Sequence, residues 1–138
     1  MRPFYPVEHT GDLAIVAQGR DLRELCENAA NGMLATMAEV AALTPTLRRR
    51  IEVSAPTDER LLMALLKELH FIHDAEGIIF TKAIVCACAE GKLTAEAEGL
   101  PIGEARARIL EEIKAVTYHD LHIAREGDIL RVKIVFDT

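Results

Sequence analysis

The sequence predicts an α+β fold in which two amphipathic helices pack on a mostly antiparallel β-sheet. Three observations carry that class. Two long stretches repeat apolar residues at three- and four-residue steps, shorter stretches alternate apolar with polar residues, and most strand stretches are joined by turns too short for a parallel crossover. A chain of 138 residues can bury roughly 68–70% of the surface its unfolded form exposes, so a single domain over residues 1–138 needs neither disulfides nor a structural metal.

After a short polar opening, Asp12–Gly19 reads as the first strand, closed by the flexible Gly19. The next stretch places Leu22, Leu25, Cys26, Ala29, Ala30, Met33, Leu34 and Met37 on one helical face, with Asp21 as its cap. Residues 43–45 break this helix. Leu47–Ser54 then reads as a strand, because Ile51 and Val53 alternate with Arg50, Glu52 and Ser54; Arg48, Arg49 and Arg50 form a solvated edge and not an RNA patch.

Thr57 can cap a second helix, whose first residues Asp58 and Glu59 favour the positive end of its dipole. Leu61, Leu62, Leu65, Leu66, Leu69 and Ile72 make it the main core helix. Ile78–Ala89 and residues 92–98 read as strands joined by a Glu90-Gly91 turn. Residues 100–103 read as a loop, 104–113 as a short helical turn and 114–124 as a strand. Arg125-Glu126-Gly127-Asp128 supplies a turn into Ile129–Asp137, the clearest strand, where Val132, Ile134 and Phe136 share one face. No internal repeat, low-complexity tract or linker interrupts this order.

A formal charge of −6 argues against direct, strong nucleic-acid binding, which calls for a basic face. Cys26, Cys86 and Cys88 are odd in number and lack a CxxC pair, so they read as small buried hydrophobes in a reducing compartment. The absence of a membrane-length apolar window or a signal-peptide pattern makes the cytoplasm the expected location, with no membrane partner. Phosphate-cradling glycine motifs, GxSxG and zinc-ligand spacings are missing too, and no cysteine has an activating context.

Three segments carry polar residues that a bland fold does not require: Glu8-His9-Thr10-Gly11-Asp12, Ile113-Lys114-Ala115-Val116-Thr117-Tyr118-His119 and Val135-Phe136-Asp137-Thr138. Asp137 stands one residue before the last residue of the sequence, which sets the α-carboxylate of Thr138 beside its side chain. If Asp12 is a sheet neighbour of that end, three acidic donors converge and suit a hard divalent cation. The competing reading is that Asp12 ends a turn and Asp137 is a solvated strand end. His9 and His119 are candidate ligands or acid–base groups, their ordinary pKa lying near neutrality. His70 and His73 are better explained by packing or a helix end, and Lys114 by a surface ion pair with Glu111 or Glu112.

Together the three segments resemble the archease family. The first is similar to that family's E-H-T-A-D opening, the second to its I-K-A-V-T-Y-H core, and the third to its chain-terminal aspartate plus one residue. Gly11 stands where the family has alanine, and Arg106-Ala107-Arg108 lies where many relatives carry a histidine. The resemblance spans essentially the whole chain. It implies a strand-helix-strand-strand core with an inserted helix and hairpin, and a non-enzymatic activator of the RtcB-type tRNA-splicing RNA ligase. Such a protein promotes guanylylation of the ligase by GTP and metal, supports its multiple turnover, and associates with tRNA only indirectly. The resemblance also implies a divalent-metal site at Asp12, Asp137 and Thr138, with calcium expected ahead of magnesium or manganese, and an activating role for Lys114. Two other classes compete: a metal-dependent hydrolase with Asp12 and Asp137 as ligands and His119 as base, and a chaperone-like interaction module.

Overall fold

In the computed structural model, which describes residues 1–119 and 121–138 and only the backbone of His9, the periodic stretches form α1 (Leu22–Met37) and α2 (Asp58–Glu76). Each helix starts where a side chain can satisfy an orphan amide. The Glu24 N–H donates to Asp21 Oδ1 at 2.8 Å, and the Arg60 N–H donates to Thr57 Oγ1 at 3.2 Å.

Among the described residues there are eight strands: β1 (Phe4–His9), β2 (Asp12–Gly19), β3 (Leu47–Ser54), β4 (Ile78–Ala89), β5 (Lys92–Pro101), β6 (Ala115–Thr117), β7 (Ala124–Glu126) and β8 (Ile129–Asp137). They make two sheets in place of the one expected, and the pairings among the described residues are antiparallel. The first sheet runs β1-β2-β8-β6, with β7 also paired to β8; the second runs β3-β5-β4. The sheets stay separate because α1 occupies the edge of β4. Asn31 donates to the Ala83 carbonyl at 2.9 Å and accepts from the Ala83 N–H at 2.9 Å. The Val85 N–H donates to Glu27 Oε1 at 2.9 Å, and Arg23 donates to the Val85 carbonyl at 3.1 Å. Side chains thus pair backbone groups that a further strand would otherwise take.

α1 packs against β2 and β4, and α2 against β3, β4 and β6, so residues of both sheets enter one core. Leu25, Cys26, Met33, Leu61, Leu62, Leu65, Leu66, Ile134 and Phe136 are buried in it. Gly19 is required for a reason other than flexibility: a Cβ there would lie 2.4 Å from the Leu25 nitrogen, so only glycine lets β2 turn directly into α1.

Several expected elements shift. The polar opening contains strand β1, whose apolar residues are interrupted by Pro6, a residue tolerated on a sheet edge. β5 extends through Leu100 and Pro101, which pair with Ile79 and Ile78. The helical turn within 104–113 is a 3-10 turn at Arg106–Arg108. The expected strand 114–124 contracts to Ala115–Thr117, and Arg125 and Glu126 belong to β7, leaving Gly127 and Asp128 as the turn. Cys26 is buried, but Cys88 is half-buried and Cys86 exposed, because alternation along β4 turns position 86 to solvent.

Candidate functional site

The β2–β8 ladder brings the first and last signature segments to one sheet end. Its final pair is Leu13 with Phe136, so Asp12 and Asp137 stand opposite each other one step beyond. Thr10 and Gly11 form the two-residue connection from His9, which pairs with Asp12; Gly11 adopts a φ of +80° that an alanine would resist. Leu13 packs against the core and Phe136 lies within it. Because side chains alternate along a strand, Asp12 and Asp137 project together from the other face, and both are exposed.

Directly opposed residues of an antiparallel pair have Cβ atoms about 4.5–5.5 Å apart, and like charges there repel. A cation between the carboxylates would reverse that term. The donor set is hard oxygen, which suits calcium, magnesium or manganese better than a thiolate-seeking metal. Among the described residues no group of three or more His, Cys, Asp or Glu side chains could hold a metal. The two aspartates therefore offer an incomplete set, which backbone, water or a partner must complete.

The middle segment reaches the same end through β6. Ala115 pairs with Asp137, and the Lys114 N–H donates to the Asp137 carbonyl at 2.7 Å. Lys114 is exposed and lines a groove with Lys67, His70, Phe71 and Asp74. Among the described residues it makes no ion pair, so the expected bridge to Glu111 or Glu112 is absent. β6 meets Asp137 at Ala115 and Val135 at Thr117, and beyond it lies the exposed His119, whose N–H donates to Thr117 Oγ1 at 3.2 Å. The His9 side chain lies outside the described residues.

His70 Nε2 lies 2.6 Å from the Ile113 carbonyl and His73 Nδ1 2.7 Å from that of Ile78, so both rings serve the packing of α2 as expected. Sequence reasoning missed the exposure of two aromatics: Phe71, in the groove with Lys114, and Tyr118, over whose ring Lys67 Nζ sits at 4.4 Å. The available signal was Phe71 itself, a large apolar residue off the leucine stripe of α2.

A family model described as the Archease protein family matches residues 4–138. The chain is 34% identical over 140 residues to a protein archease of Methanothermobacter thermautotrophicus, covering 99% of both chains. It is 35% identical over 131 residues to one from Thermococcus kodakarensis, covering 93% of this chain and 92% of that one. The solution structure of Methanobacterium thermoautotrophicum protein 1598 superposes with a TM-score of 0.82 at 34% identity, covering 100% of both chains. The crystal structure from Thermotoga maritima described as an archease, possible chaperone, gives a TM-score of 0.69 at 27% identity, covering 100% of this chain and 98% of that one.

Proposed function

The chain belongs to the archease family, and from that membership we propose that it activates an RtcB-type tRNA-splicing RNA ligase as a non-enzymatic partner. In this reading it promotes GTP- and metal-dependent guanylylation and multiple turnover in tRNA splicing or RNA repair, and meets tRNA only through the ligase. The observation that carries the proposal is the exposed juxtaposition of Asp12 and Asp137, joined by the backbone of Lys114. Three separated signature segments are thereby brought to one sheet end, where a binding partner can reach them.

Asp12 and Asp137, with Thr138, would hold the divalent cation, which supplies positive charge for binding phosphate oxygens. Two side-chain carboxylates leave coordination positions for a partner or nucleotide. Lys114 adds a cation that no neighbouring carboxylate neutralises among the described residues. An activator changes turnover only by binding one state of the ligase more tightly than another, and a charged, exposed tip can do so if that state presents complementary groups.

The test is guanylylation and multiple-turnover ligation by the cognate ligase with excess RNA and GTP, with and without substoichiometric chain. More ligation events per ligase molecule are expected; equal yields overturn the proposal. A metal-dependent hydrolase with Asp12 and Asp137 as ligands would turn over nucleotides or phosphoesters without any ligase. A chaperone-like activity, the description given to the Thermotoga maritima protein, would instead suppress aggregation of unrelated clients.

A further inference from the structure

We propose that the trough between the exposed stripe of α2 and residues 114–118 docks an extended acidic segment of the ligase, with Phe71 and Tyr118 as its apolar anchors. This rests on the activator reading and names the surface through which it operates. α2 turns Arg60, Lys67, Phe71 and Asp74 to solvent, at steps of seven, four and three residues, so they form one stripe along the helix. Phe71 is 64% exposed and Tyr118 52%, although most large apolar side chains of the chain are covered. Exposed aromatics are the usual anchors of protein interfaces.

Two hollows run along this stripe. One, of about 360 Å³, is lined by Lys67, Phe71 and Lys114 among others; the second, of about 560 Å³, by Arg60 and Tyr118. The Lys67 ammonium above the Tyr118 ring joins them into one trough. From Thr57 to Asp74 the helix runs roughly 25 Å at about 1.5 Å per residue. That accommodates an extended segment of roughly seven residues at about 3.3 Å each.

Charge selects the occupant. Two carboxylates border the described part of the trough: Glu59, whose Oε2 accepts from the Ile123 N–H at 3.2 Å and lies 3.7 Å from His122 Nδ1, and the exposed Asp74, 3.6 Å from His70 Nε2. Arg60, Lys67 and Lys114 make no ion pair among the described residues. A chain of formal charge −6 thus presents a strip in which three cations outnumber two carboxylates beside two aromatics, which favours acidic side chains interspersed with apolar ones. Three cations on an acidic protein are a poor match for a phosphate backbone. At one end, Lys114 bonds the Asp137 carbonyl through its amide, so a segment held in the trough leads to the paired aspartates.

The experiment measures binding of the purified cognate RtcB-type ligase to the full chain and to Lys67→Glu/Phe71→Glu, with Phe71→Ser as a milder variant and Lys92→Glu, on β5, as control. Melting curves establish that each variant folds. The double variant is expected to bind at least tenfold more weakly, the single variant severalfold, and the control like the parent; added salt should weaken the parent more steeply than the double variant. Unchanged ligase affinity in both trough variants overturns the proposal. So does a loss confined to single-stranded RNA binding. Asp12→Asn separates the two readings, since it should retain ligase binding while losing activation. Parent chain that neither binds nor activates the ligase removes the activator reading and this one with it; parent activation that survives both trough variants removes this one alone.

Discussion

Asp12 and Asp137 owe their meaning to being opposite each other. Neither aspartate is unusual alone, yet the register sets two carboxylates on one exposed face. Asp12→Asn removes one charged ligand, so calcium or manganese affinity by calorimetry should fall at least tenfold with the melting temperature held or slightly raised, because a like-charge contact is lost. Unchanged affinity would place the cation elsewhere. Lys114 offers a second separation of function from stability. With no ion pair to lose, Lys114→Ala should change stability by about 0.5 kcal/mol or less, measurable by urea unfolding. Activation of the ligase should nevertheless drop at least tenfold, whereas Lys92→Ala should alter neither quantity. The signature residues were legible in the sequence because their polarity is out of place there; the exposure of Phe71 and Tyr118 was not, since it is decided by what does not cover a side chain.

At the scale of elements, the contact between α1 and β4 is the decisive one. Asn31 supplies both a donor and an acceptor to the backbone of Ala83, and Glu27 accepts from Val85. Asn31→Ala leaves an amide and a carbonyl of β4 unpaired in a part-buried position, so it should destabilise the fold by about 1–3 kcal/mol. Asn31→Asp keeps the acceptor but turns a carboxylate oxygen toward the Ala83 carbonyl, so it should destabilise as well; an Asn31→Ala variant as stable as the parent in denaturant titration would show that the β4 edge does not need its side-chain partner. The helices were readable with their caps because capping and a 3.6-residue period are local properties. β1 and the short β6 were not, because strand identity depends on a partner: β1 exists by pairing with β2, and β6 by pairing with the last residues of β8.

For the molecule as a whole, alkaline pH is the condition under which the buried core is tested. Burial pushes the Cys26 thiol far above its ordinary value of 9.0, and the neighbouring Cys88 thiol adds to the shift. Cys88 is raised as well, chiefly by burial and then by Asp58. A folded-state pKa above the unfolded one means that the unfolded chain releases protons first. The associated stability is therefore complete below about pH 9 and declines above it, by up to about 1.4 kcal/mol per pH unit for one fully protected thiol. Unfolding free energies in reductant at pH 8 and pH 10 should show that decline in the parent and a shallower one in Cys26→Ala. Equal slopes would mean that Cys26 does not govern the alkaline limb. Among the described residues no helix is long and apolar enough to cross a membrane.

The sequence by itself determined the α+β class, both helices with their caps, the β4–β5 hairpin, strand β8 and the family, because each rests on periodicity, local capping or contiguous motifs. The tertiary structure alone decided that there are two sheets, since only the approach of α1 shows that the β4 edge is occupied by side chains. It alone decided that Asp12 and Asp137 face each other. Register relates residues that are more than a hundred positions distant, and no local pattern specifies which residue of one strand lies opposite which of another.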